Sequence, residues 1–261
     1  LEDLYAALLD MPWPGLQMNS TPDWMPSVWP EQLWDFYQQA QIHEWWQSAQ
    51  SVWSAAVSQC VNVFQKMQIG SFLRPFLGEI VDEFYFMPNL VFPAHREISL
   101  RNQQRLIAIV PPPQAWGESP PWPYDEESML IHAYRAALRS YTGILLREYL
   151  AQHRPPVEDA SKKELPVSNA FKAIYPTWEQ QFIELFITAS VAIYLEDHVA
   201  KIEAQSYMLM EKRTRDMTIL PGTISVLRRY LQEYGKKYQT LADFLYVFPA
   251  QLRVAKRIVT L

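Results

Sequence analysis

Apolar positions recur with a helical period over most of this chain, and the period changes to two in one short region. From Glu31 to Met67 the apolar set is Leu33, Trp34, Tyr37 and Ala40, followed by Trp45, Trp46, Ala49, Val52, Trp53, Ala56, Val57, Cys60, Val61 and Phe64. A break near Ile42-His43 predicts two helices here, with Pro30 at the favoured first position and Gly70 as the stop. Glu79 to Phe92 then alternates, with Ile80, Phe84, Phe86, Leu90 and Phe92 set against Val81, Glu83, Tyr85 and Val91, so it reads as a strand. Pro88-Asn89 interrupts it and predicts a bulge or an edge position. Gln104 to Val110, QRLIAIV, reads as a second strand, and polar residues 97–103 connect the two. An antiparallel pair is the simplest arrangement, because a parallel pair needs a long crossover.

Helical period returns at Asp125 to Gln152, one long amphipathic helix with Asp125, Glu126 and Glu127 at its positive dipole end. Leu130, Tyr134, Ala137, Leu138, Tyr141, Leu145 and Tyr149 form its packing face. His153 to Asn169 is polar, contains Pro155-Pro156, and is the best candidate for a disordered loop. Pro176-Thr177-Trp178 opens a second long helix, to about Ala204, that is apolar nearly all round and therefore central. Two or three more helices fill Ser206 to Leu261, with breaks at Pro221-Gly222, Gly235 and Pro249. Gly222 to Tyr234 and Thr240 to Phe248 are the clearest.

Two stretches lack either period. Residues 1–30 read as a short helix at Glu2 to Leu9 followed by an extended arm that Trp13, Trp24 and Trp29 pin to its own domain or, in a sharper reading, to a neighbouring subunit. Residues 31–261 read as one domain. Residues 111–124, PPPQAWGESPPWPY, are dense in proline and predict a stiff polyproline segment. Trp116, Trp122 and Tyr124 on it are the candidate peptide-binding residues, although a plain lid over the core explains them as well.

Composition narrows the function classes. Hydrophobic residues make up 49% of the chain and charged residues 20%, which is globular. A net charge of −5 argues against a nucleic-acid partner or an anionic membrane surface. Lys212-Arg213, Arg228-Arg229, Lys236-Lys237 and Arg253 to Arg257 make the C-terminal third more basic, which reads as solvated helix surface. The single cysteine, Cys60, excludes an intramolecular disulfide and a thiolate zinc site, and points mildly to a reducing, cytoplasmic setting. No run approaches the roughly 20 apolar residues of a membrane span. The chain begins at Leu1, which leaves a removed signal peptide open. No Walker loop, dinucleotide fingerprint or serine nucleophile elbow is present.

The candidate chemistry lies on the Asp125–Gln152 helix. A mononuclear zinc peptidase uses two histidines at i and i+4, a glutamate beside the first as general base, and a third ligand from a later helix. This chain has His132-Ala133-Tyr134-Arg135-Ala136 at such a position, and Glu184 inside the following apolar helix. Ahead of them stands the strand that carries Pro88-Asn89-Leu90. Over Glu31 to Asp197, this order of elements and short motifs resembles the gluzincin-like zinc metallopeptidases, particularly poorly characterised bacterial members.

The resemblance implies an α+β, mostly helical, zincin-like fold in which long helices pack with a small antiparallel sheet. It also implies a degenerate site. Ala133 replaces the base and Ala136 the second ligand, so no catalytic residue, metal or cofactor is expected. His132, Arg135 and Glu184 would remain as a relic cleft, and the protein would act as a non-catalytic peptide- or protein-binding module.

Two other readings stay open. A hydrolase site could be completed by His43, His95 or Asp125, or the motif could be a chance feature of a structural helical protein. His132 is also explained as a satisfied core or surface histidine, and Glu184 as part of a solvated stripe with Thr177, Gln181 and Thr188. Cys60 reads as a buried structural thiol.

Overall fold

The computed structural model describes residues 2–9, 11, 22–91, 97–111 and 126–259. In chain order these form α1 (Glu2–Leu9), α2 (Trp29–Gln39), α3 (Ile42–Phe64), α4 (Ile69–Leu77), β1 (Glu83–Pro88), β2 (Ile98–Asn102), β3 (Arg105–Val110) and α5 (Glu126–Gln152). There follow α6 (Arg154–Ser161), α7 (Asn169–Ile174), α8 (Trp178–His198), α9 (Lys201–Arg215), α10 (Leu220–Glu233), α11 (Leu241–Leu245) and α12 (Phe248–Val259). The protein is mostly helical, with one small mixed sheet. Contacts divide it into two compact units. One comprises Leu1–Gln65 and Glu83–Leu130, the other Lys66–Asp82 and Ile131–Leu261.

The first unit holds the sheet, in the order β1-β3-β2. It is not the antiparallel pair anticipated for Glu79 to Phe92 and Gln104 to Val110. β1 runs parallel to β3, from Glu83↔Arg105 to Pro88↔Val110. The polar stretch taken for a connector is itself β2, antiparallel to β3 from Ile98↔Ile109 to Asn102↔Arg105. The reason lies in the turn. Gln103 adopts the left-handed conformation (φ 52°), closing a tight β2–β3 hairpin without the Asn-Gly or Asp-Gly pair that marks most such turns. The return from β1 to the parallel β3 therefore passes through β2. β3 lies between two strands and is buried from Leu106 to Val110, which explains why LIAIV is continuously apolar. β1 ends at Pro88 on the edge of the sheet; Glu83 N and Asn89 N, at either end of the strand, donate to the Gln104 and Val110 carbonyls, so the missing N–H of Pro88 falls on the open side.

On one face of this sheet Ile98, Leu100, Ile107 and Ile109 form a cluster that Tyr5 and Ala6 of α1 cover. α3 packs on α2 and β1, with Phe64 and Phe86 rings 4.3 Å apart. The anticipated break between α2 and α3 is present, at Gln41 in the left-handed region (φ 51°). Trp24, expected to pin an arm, is exposed, while Met25 is buried beside it.

The second unit is helical and built around α8. A capping box starts α8: the Thr177 hydroxyl accepts from Gln180 N, and the Gln180 side chain accepts from Thr177 N. Phe182, Leu185, Phe186, Val191, Ile193, Tyr194 and Leu195 are wholly buried on it. Helices α6, α9 and α10 pack on α8. Phe76 of α4 stands edge-on to Phe186 at 5.1 Å and stacks on Tyr230 at 5.4 Å. The Tyr230 hydroxyl donates to the Pro75 carbonyl at 2.6 Å.

Several boundaries in this unit differ from the sequence expectations, mostly through proline. Gly70 does not stop a helix but lies inside α4; the chain leaves α3 after Phe64, and the Gln68 N–H donates to the Tyr194 hydroxyl. The supposed disordered loop after His153 contains α6, which Pro155-Pro156 start, with Val157, Ala160 and Leu165 buried. Pro221 starts α10, and Pro249 lies in the first turn of α12. A proline in the first turn lacks only an N–H that would have no helical partner there, so it begins helices as readily as it breaks them. The long helix expected to reach Ala204 instead ends at His198, with Val199 as its cap. Among the described residues no helix is long and apolar enough to cross a membrane.

Candidate functional site

Three helices of the second unit bring together stripes of polar residues at intervals of three and four. α5 contributes Arg139, one turn on from Arg135 and two from His132. α8 contributes Glu184 and Thr188, and α9 contributes Tyr207, Glu211 and Arg215.

Glu184 occupies the centre of this cluster. One of its oxygens, Oε2, accepts from Arg139 Nη2 at 3.0 Å and from Arg215 Nη1 at 2.7 Å. Arg215 also grips Glu211 through Nε and Nη2. Thr188, fully buried, accepts from Arg139 Nη1 at 3.4 Å and Arg215 Nη2 at 3.3 Å. The Tyr175 hydroxyl takes a further Arg215 donor at 3.3 Å. Two guanidiniums and two carboxylates alternate, so the cluster balances its own formal charge. Such a network offsets the desolvation of its ions only while every member is present.

Electrostatics follow the burial. Burial pushes the Tyr207 phenol up to about 12, although Arg139 pulls the other way. Its hydroxyl is buried and makes no hydrogen bond. Burial opposes the charge on Arg139, but Tyr207 and Glu184 outweigh it, and the guanidinium is held more firmly protonated than usual.

The residues nominated from sequence are distributed as follows. His132 and Arg135 are neighbours, with His132 Nδ1 3.3 Å from Arg135 Nη2. Glu184 gives its carboxylate to Arg139 and Arg215 rather than to His132. Ala133 and Ala136, at the base and second-ligand positions, are both 0% exposed and part of the core. The stripe taken as solvated is buried at Gln181 and Thr188, and Gln181 Nε2 donates to the Tyr175 carbonyl. In the first unit, exposed His43 contacts Gln47 at 2.8 Å, and Cys60 is buried with its thiol pushed up to about 12 by desolvation. Trp116, Trp122, Tyr124, His95 and Asp125 lie outside the described residues.

Among the described residues no group of three or more His, Cys, Asp or Glu side chains is placed to hold a metal ion. A cation brought to Glu184 would also meet two guanidiniums on the same oxygen. Arg139, Tyr207, Glu211 and Arg215 were not singled out from the sequence. A signal existed: Tyr207, Glu211 and Arg215 are spaced i, i+4, i+8, and Arg139-Ser140 interrupts the apolar stretch between Ala136 and Tyr141. Comparison with family models, curated proteins and solved structures yields no match.

Proposed function

We propose that this chain is a non-catalytic peptide- or protein-binding module, laid out like a gluzincin whose catalytic residues have been replaced. The observation that supports this reading is the state of Glu184. A zinc ligand or general base must offer its carboxylate to a cation or a water, and this carboxylate is held between Arg139 and Arg215. The neighbouring positions agree. Restoring a glutamate at Ala133 or a histidine at Ala136 would place a polar side chain where the core leaves none of the alanine exposed.

The test is metal content. The untagged chain is exposed to zinc, dialysed thoroughly and measured by plasma mass spectrometry. The expected result is zinc far below one equivalent, with no difference between the native chain and His132→Ala. Near-stoichiometric zinc that disappears in His132→Ala would overturn the reading and restore the metal-hydrolase alternative.

A further inference from the structure

Helices α10 and α12 leave an apolar groove of about 310 Å³ between them. Gly222, Ser225, Val226 and Arg229 line it from α10, and Val254 and Ala255 from α12. Gly222 sets the depth of the closed end: a Cβ there would come within 3.3 Å of the Ala255 Cβ. The helices are thus in close contact at this point. Val254 is 57% exposed at the rim, an apolar side chain with nothing over it. The volume is at the lower end of the range for small-ligand pockets, and leaves room for one large apolar side chain.

The charge carried by the two helices is mostly positive. α12 carries Arg253 and Lys256 at exposed positions and has no acidic residue. α10 carries Arg228 and Arg229, and its only acid is Glu233 in the final position. Arg228 is engaged by Glu196 and Asp197. Arg229 makes only an i,i+4 pair with Glu233, and its side chain is 59% exposed. Surface pairs of this kind contribute little, so an incoming carboxylate can take over Arg229 at small cost. Arg253 donates to a neutral main-chain oxygen, that of Glu164.

An apolar slot lined by Arg229, between helices that carry mostly positive charge, complements a helix with apolar anchors on one face and carboxylates beside them. We propose that the α10–α12 groove docks an acidic amphipathic helix of a partner protein. One apolar side chain sits against Val226 and Val254, and a carboxylate one turn away meets Arg229. This rests on the binding-module reading but moves the binding surface from the relic motif to the C-terminal helices.

The probe is a fluorescein-labelled helical peptide with Leu at i, i+3, i+4 and i+7 and Glu at the intervening positions, titrated into the full chain by fluorescence anisotropy. Two control peptides carry Lys in place of Glu, or the same residues in a non-amphipathic order. Saturable binding of the acidic peptide is expected, with both controls weaker by about tenfold or more. Val254→Asp and Arg229→Glu should each weaken it by about tenfold, while Lys163→Glu, an exposed change elsewhere, leaves it alone. Both groove positions are exposed, and circular dichroism checks that each variant folds.

Absence of saturable binding, equal binding of either control peptide, or binding indifferent to both groove variants would overturn the proposal. Self-association of the chain that the same two variants abolish would also overturn it, in favour of a second copy as the occupant. The zinc measurement is independent of all these outcomes, so the groove and the non-catalytic reading can fail separately.

Discussion

Helices α3 and α8 are nearly the same length, 23 and 21 residues, and α3 carries fewer charges. It carries a single charged residue, Glu44, whereas α8 carries Glu179, Glu184, Glu196 and Asp197. The structure nonetheless buries α8 far more deeply, as its nearly continuous apolar surface requires. α8 buries fourteen residues; α3 buries three, Ala56, Cys60 and Val63, and leaves Trp45, Val52, Val57 and Val61 exposed. α3 packs on α2 and one strand, whereas α6, α9 and α10 pack on α8, and α5 reaches it through Arg139 and Glu184. Burial is therefore decided by how many elements surround a helix, and its own hydrophobicity sets only what it could bury.

The sharpest test of this contrast replaces one apolar side chain in each helix. Phe186→Ala removes a ring that touches Phe76 and Phe182, and should cost about 3–5 kcal/mol in urea unfolding. Val57→Ala on α3, at a position 49% exposed, should stay within about 0.5 kcal/mol. Equal costs would break the comparison.

Next in size is the partly buried, doubly paired carboxylate of α8, which has no counterpart on α3. Glu184→Gln leaves Arg139 and Arg215 facing an amide, and should destabilise the protein by about 3 kcal/mol. Glu44→Gln on α3, exposed and in the first turn, should change stability only slightly.

A smaller effect appears only in alkali. The Tyr207 phenol lies at about 12 in the folded protein against 10.0 for a free tyrosine. The unfolded chain therefore loses this proton first. The stability it contributes is intact below pH 10 and falls as pH rises from about 10 to about 12, by on the order of 2 kcal/mol. Tyr207→Phe should flatten that part of the stability–pH curve, and should cost little at neutral pH because the hydroxyl has no partner to lose.

The smallest expected change has the opposite sign. Ser190 is fully buried on α8 with no partner for its hydroxyl, so Ser190→Ala should leave the melting temperature unchanged or raise it slightly. A clear fall would mean that the hydroxyl is satisfied.

Much of the helical layout was legible in the sequence because amphipathic periodicity and end signals are local. The split at Ile42, the start of α8 at Thr177 and the extent of α5 through Gln152 all follow from side chains within a few residues of each other. The sheet was half legible. LIAIV announced a strand, but its partners were misread, because β2 is polar at Ser99, Arg101 and Asn102 and its turn depends on a left-handed Gln103. The prolines at 155, 156, 221 and 249 look alike in sequence whether they end a helix or begin one.

The candidate site divides along the same line. The sequence by itself determined that His132 stands without a base or a second histidine, since Ala133 and Ala136 cannot act as either. It also placed Glu184 inside a very apolar helix, but left open whether that carboxylate faces solvent or the core. Only the tertiary structure decided that it meets two counter-charges. Arg139 lies 45 residues before Glu184, and Arg215 lies 31 residues after it. No local pattern links positions so far apart; the packing of α5, α8 and α9 brings them together, because ions removed from water are stable only beside their opposites.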